Sequence, residues 1–139
     1  MCLICSTSRA QENTYSSKEI SISKYIDGTL LSPNDNNKTL AILIPDTGPI
    51  DRNGNQDFQK TDNLKKLAVA LTKNGIATFR YDKRIVKQLR RGNFDANIKF
   101  EHFVNDALDV IDHFKKQYDY HKIVIIGHGQ GSLIGMIVA

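Results

Sequence analysis

The chain has 139 residues, a length that suits one domain, with 40% hydrophobic and 24% charged residues and a formal net charge of +4, values usual for a globular protein. The basic residues are scattered except at Lys83, Arg84, Lys87, Arg90 and Arg91, and without a recognition module beside that cluster no nucleic-acid partner is expected. The two cysteines, Cys2 and Cys5, make neither a disulfide framework nor a zinc site, and no apolar run approaches the roughly 18 residues of a membrane span.

The lead "MCLICSTSRAQEN" has a short apolar patch and then small polar residues around Ala10. It reads either as a disordered lead or, over residues 1–10, as the remnant of a secretory signal, though it has no basic n-region and too short an apolar core. The first alternative leaves a cytoplasmic location open, the second a secreted or periplasmic one. Residues 1–17 are taken as this lead and 18–139 as the domain.

"KEISIS" (18–23) alternates, and "GTLLS" (28–32) follows Asp27-Gly28, which predicts an antiparallel hairpin around a D-G turn. After the turn-rich "SPNDNNK", the apolar run "TLAILI" (39–44) predicts a strand covered on both faces. A long polar loop leads to "TDNLKKLAVALTKNG", where Leu64, Leu67, Ala68 and Leu71 share one helix face. Thr61 or Asp62 can cap that helix, and Gly75 fits just past its end.

"IATFRY" (76–81) predicts another strand, followed by a basic loop over 82–98. Phe100, Phe103, Val104, Ala107, Leu108, Ile111 and Phe114 then keep helical spacing. "KIVIIG" (122–127) predicts a third buried strand, and "SLIGMIVA" begins a helix. The alternation gives an α/β fold, a mostly parallel sheet with flanking helices and an N-terminal hairpin. The last helix is apolar nearly all round and needs partners on several sides. The chain therefore reads as the truncated front of a domain, its sheet completed by a missing C-terminal half or by oligomerisation.

The most informative stretch is "IIGHGQGSLIG" (125–135). A strand that bends sharply into a helix lifts the residue at the bend above the sheet, and its neighbours must be small. G-x-S-x-G meets that need for a nucleophilic serine. Gly127, His128, Gly129, Gln130 and Gly131 reproduce every part of it except the hydroxyl.

"KIVIIGHGQGSLIGMIVA" resembles the nucleophile elbow of the α/β-hydrolase superfamily. "LAILIPDTGPIDRNGN" resembles the strand and oxyanion loop of an esterase-like branch, and "LTKNGIATFRYDKR" and "FEHFVNDALDVIDHFKK" resemble its next strand and the helix before the elbow. The likeness runs over residues 18–139. It implies a serine carboxylic-ester (acyl) hydrolase, with a small acyl ester as substrate or ligand, no cofactor and no metal. The nucleophile falls on Gly129, the elbow on Gly127, His128 and Gly131, and the oxyanion amides on Gln130 and on Thr47 or Gly48. The triad acid and histidine follow the nucleophile in such chains, so neither is assigned within 139 residues. Two departures stand out: Asp46 occupies a position often held by glycine, and "RYDKRIVKQ" lacks the glycine that often follows its arginine.

With glycine at 129, little or no serine-dependent activity is expected. The second function class is a non-catalytic pseudo-hydrolase that binds an acyl ligand or a protein partner. A third reading is a dinucleotide-binding fragment, since Gly127, Gly129 and Ser132 nearly match G-x-G-x-x-G/A. That reading is disfavoured because the fingerprint normally opens its fold and needs an acidic residue about 20 positions on. Ser132 falls in the first helical turn, a poor place for a substitute nucleophile. None of His102, His113, His121 and His128 pairs with another at ligand spacing, and Asp51, Arg52, Asn53 and Asn55 are read as stabilising their own loop.

Overall fold

The computed structural model describes residues 14–139; the remainder of the expected lead, including Cys2, Cys5 and the signal-like patch, lies outside them. Strand β1 (Tyr15–Ser21) pairs antiparallel with β2 (Asp27–Pro33), with Lys18 opposite Leu30 and Ile20 opposite Gly28. The first strand thus begins at Tyr15, ahead of the expected boundary at 18. Its exposed residues are held by backbone pairing rather than by an apolar pattern. The chain reverses before Asp27-Gly28, which open β2. Ile22 N–H donates to Ile26 O (2.9 Å) and Ile26 N–H to Ser23 O (3.2 Å), with the fully buried Ile26 side chain as anchor.

Strand β3 (Thr39–Ile44) lies between β4 (Ala77–Tyr81) and β5 (Lys122–Gly127), parallel to both. The sheet order is β1-β2-β4-β3-β5. Since β2 is antiparallel to both neighbours, four strands point one way and β2 alone points back, the mostly parallel α/β sheet expected.

Helices cover both faces. On one, Leu40, Ile42, Phe79 and Tyr81 pack with Ala107, Val110, Ile111 and Phe114 of α3 (Phe100–Gln117) and Ile134 of α4 (Gln130–Val138). Phe79 meets Phe114 edge-on at 4.8 Å between ring centroids, an arrangement the aromatic quadrupoles favour. On the other face, Leu31, Ala41 and Leu43 pack against Leu64 and Ala68 of α1 (Asn63–Lys73).

Two local expectations are corrected and a third is met in part. At the start of α1 the Thr61 hydroxyl accepts the Asn63 N–H (3.4 Å), while Asp62 makes no side-chain cap. Asp62 adopts φ 51° and its Oδ1 accepts from Asn55 Nδ2 (2.6 Å), while Asn53 O receives the amides of Leu64 and Lys65. The basic loop contains a helix, α2 (Arg84–Arg90), whose Arg84, Lys87 and Arg90 form ion pairs within the fold. Leu67 and Leu108 sit on exposed faces, 38% and 44% accessible, whereas Val110 and Asp106 turn inward.

Strand β5 has β3 as its one partner among the described residues, and its apolar side chains are only half-buried. Next to it on α4, Leu133, Met136 and Ile137 are 49%, 72% and 54% accessible.

Candidate functional site

The parallel register sets Ile44 opposite Gly127, so β3 and β5 end level and the segments after them leave the sheet side by side. Ligand sites in open α/β sheets form at such carboxyl ends. The two segments are Pro45-Asp46-Thr47 and His128-Gly129-Gln130. His128 N–H donates to Ile44 O (3.1 Å), which ties the second bend to the end of β3.

Small residues permit this approach. A Cβ on Gly131 would overlap the Ile44 carbonyl, and one on Gly127 would overlap the Gly131 backbone. Gly129, at the bend, has φ 52° and ψ −120°, a region that residues with a side chain reach only at a cost of about 1–3 kcal/mol. A Cβ there would also overlap the Asp46 carboxylate. The space in which a side chain at 129 would begin is filled by Asp46.

Asp46 points inward. Its Oδ1 accepts the backbone N–H of Thr47 (2.6 Å) and of Gln130 (2.8 Å). These two amides, with the Thr47 hydroxyl, hold the carboxyl below its ordinary pKa, the Gln130 bond contributing most, because hydrogen bonds to the ionised form favour it. Thr47 and Gln130 are therefore brought together. Gly48, at φ 88°, is next in the chain and is not one of the donors.

Lys83 fastens the arrangement from below. It lies two residues past the end of β4 and its side chain is buried, with Nζ donating to Asp46 O and to Gln130 Oε1, each at 2.8 Å. The ammonium lies over the Phe103 ring, 4.6 Å from its centroid. Burial pushes its pKa down to about 8 despite the nearby Asp46 charge. His128 is largely exposed, with Nδ1 3.8 Å from Asp46 Oδ2. Ser132 Oγ donates to Gly127 O (2.9 Å), so its hydroxyl is spent on tying the first turn of α4 back to the end of β5.

The "DRNGN" loop forms a second polar cluster nearby. Asp51 Oδ1 accepts the amides of Asn53 and Asn55, the local bonding read from the sequence. Arg52 reaches much further, pairing with Asp82 (2.8 Å) and with Glu19. Sequence reasoning missed Asp82 and Lys83, which follow an apolar strand end where charged residues are unusual, and the buried pair Arg84–Asp106 at 2.6 Å. It also left the basic cluster without internal roles. Lys83, Arg84, Lys87 and Arg90 bond respectively to Asp46 O, Asp106, Asp27 and Asp82.

Comparisons with known proteins bear on the fold. No family model and no curated protein matches the chain. Solved structures do. A dienelactone hydrolase from Anabaena variabilis aligns with TM-score 0.70 at 13% identity, over 91% of this chain and 58% of its own. Est1E from Butyrivibrio proteoclasticus aligns with TM-score 0.59 at 20% identity, over 88% of this chain and 44% of its own. A dienelactone hydrolase-like promiscuous phosphotriesterase from metagenomic libraries aligns with TM-score 0.61 at 14% identity, over 91% and 54%. The chain thus spans 44% to 58% of the length of these structures. At such identities the likeness establishes the fold alone, an α/β-hydrolase fold, here with five strands in the order β1-β2-β4-β3-β5 among the described residues.

Proposed function

We propose that this protein is a non-catalytic member of the acyl-hydrolase group, with the bend and amides of a serine esterase but without serine-dependent turnover. The observation that carries the reading is the Asp46 carboxylate, bonded through Oδ1 to the amides of Thr47 and Gln130 beside a glycine at 129.

In a serine hydrolase the hydroxyl attacks the acyl carbon and two backbone N–H groups hold the oxygen that becomes negative. On this reading Gly129 stands at the nucleophile position and supplies no oxygen. The Thr47 and Gln130 amides are the oxyanion donors, and they already hold a full negative charge. An ester carbonyl entering the site would have to displace an ionised carboxylate with a weaker acceptor. Gln130 and Lys83 keep the amides in place whether or not a substrate is present. The protein's role is then binding, of a small acyl ligand or a partner, at the carboxyl ends of β3 and β5.

The test is hydrolysis of p-nitrophenyl acetate by the purified 139-residue chain. Background rates are expected for the unaltered protein and also for Gly129→Ser, whose side chain would meet Asp46. Saturable turnover by the unaltered chain that survives Ser132→Ala and is abolished by Asp46→Asn would overturn the proposal, since it would make the carboxylate itself the reacting group.

A further inference from the structure

We infer that the cleft between the "DRNGN" loop and β4, separate from the bend, is a binding site for a small oxyanion, a carboxylate or phosphoryl group, with Arg80 as its anchor. The cleft has a volume of about 410 Å³ and is lined by four cations, Arg52, Lys65, Arg80 and Arg90, against three carboxylates, Glu19, Asp51 and Asp82. The carboxylates are all engaged. Glu19 pairs with Arg52, Asp82 with Arg52 and Arg90, and Asp51 with Arg90 at 3.6 Å. Asp51 also accepts two loop amides.

Among the described residues Arg80 has no such partner. It is 5% accessible, its Nε donates to Asn53 Oδ1 at a long 3.3 Å, and Nη1 is buried with no hydrogen-bond partner. Burial and the neighbouring Arg52 charge push its pKa down, the signature of a cation whose surroundings do not balance it. A buried guanidinium without an anion is costly, and its planar fork suits a carboxylate or phosphate held through two N–H groups. Lys65, exposed at the mouth and without an ion pair among the described residues, adds a second charge of the right sign. One negative charge entering the cleft balances the excess cation.

Isothermal titration of the full chain with sodium phosphate and, separately, sodium acetate tests this, with ionic strength held constant by sodium chloride. Saturable binding at one site is expected, and whichever anion binds more tightly identifies the phosphoryl or carboxylate source. Arg80→Met should weaken binding by about tenfold or more, as loss of a charge-assisted hydrogen bond does, while unfolding at or above the wild-type midpoint in anion-free buffer. Lys65→Gln changes only an exposed side chain, remains folded, and should weaken binding severalfold. An absence of saturable binding by either anion overturns the inference. Binding unchanged in Lys65→Gln, or retained in a folded Arg80→Met, overturns it equally.

Discussion

At the scale of single residues, Asp46 and Gly129 form a matched pair. Gly129 occupies a backbone conformation that disfavours side chains, and the volume beside its Cα belongs to the Asp46 carboxylate. Gly129→Ser is therefore expected to destabilise the fold by about 2 kcal/mol or more, combining backbone strain with overlap. In a double-mutant cycle, Asp46→Gly should return part of that loss, with a coupling of about 1 kcal/mol or more; urea unfolding of the four proteins measures it. Lys83 gives a pH signature. Its native pKa of about 8 lies below the ordinary 10.5, so between those values the unfolded chain binds a proton that the native chain does not. Stability contributed through this group then rises as pH climbs from about 8 toward 10.5. Denaturation midpoints compared with Lys83→Met, which lacks the titration, should isolate that slope. Asp46 acts in the opposite range. Its depressed pKa makes a contribution present above the ordinary carboxylate pKa and lost as pH falls through the native value.

At the scale of elements, α2 and α3 are joined by a buried ion pair. Arg84 donates to both Asp106 oxygens, at 2.6 and 2.7 Å, and both side chains are buried or nearly so. Burial pushes the Asp106 pKa up, and the Arg84 bonds oppose that rise. Removing one member leaves the other charge buried, so Asp106→Ala is expected to cost about 3–5 kcal/mol, while Arg84→Met with Asp106→Leu should cost much less. Chemical denaturation of the single and double variants distinguishes the two. Helical spacing on α3 made Ala107, Ile111 and Phe114 legible as core. Asp106 was not legible, because a carboxylate turns inward only when a partner meets it, and Arg84 is 22 positions away on an element read from the sequence as a basic loop.

At the scale of the molecule, β5 is the edge of the sheet among the described residues, and the adjoining α4 exposes Leu133, Met136 and Ile137. An unpaired strand edge beside an apolar patch promotes association. Concentration-dependent self-association of the 139-residue chain is expected, and Leu133→Lys with Met136→Lys should reduce it; size-exclusion chromatography with light scattering reads the change. The opposite side is different. There β1 is exposed along most of its length, with polar residues at Ser16, Ser17, Lys18 and Glu19, which discourages edge pairing.

The sequence by itself determined the strands and helices α1, α3 and α4 in their order, but not α2. The runs at 39–44 and 76–81 are apolar because their strands are covered on both faces, whereas the equally apolar run at 122–127 is only half-buried, and the period of α1 and α3 follows the face that meets the sheet. It also determined the shape of the bend at 127–131, since close backbone approach demands glycine locally. Tertiary structure alone decided where the charges go. Asp46 meets the Gln130 amide across 84 positions, Lys83 bridges the same two segments, and Arg52 finds Asp82 and Glu19. Backbone preferences act over a few residues and can be read in order, whereas a buried charge is placed by whichever partners the packed sheet brings to it.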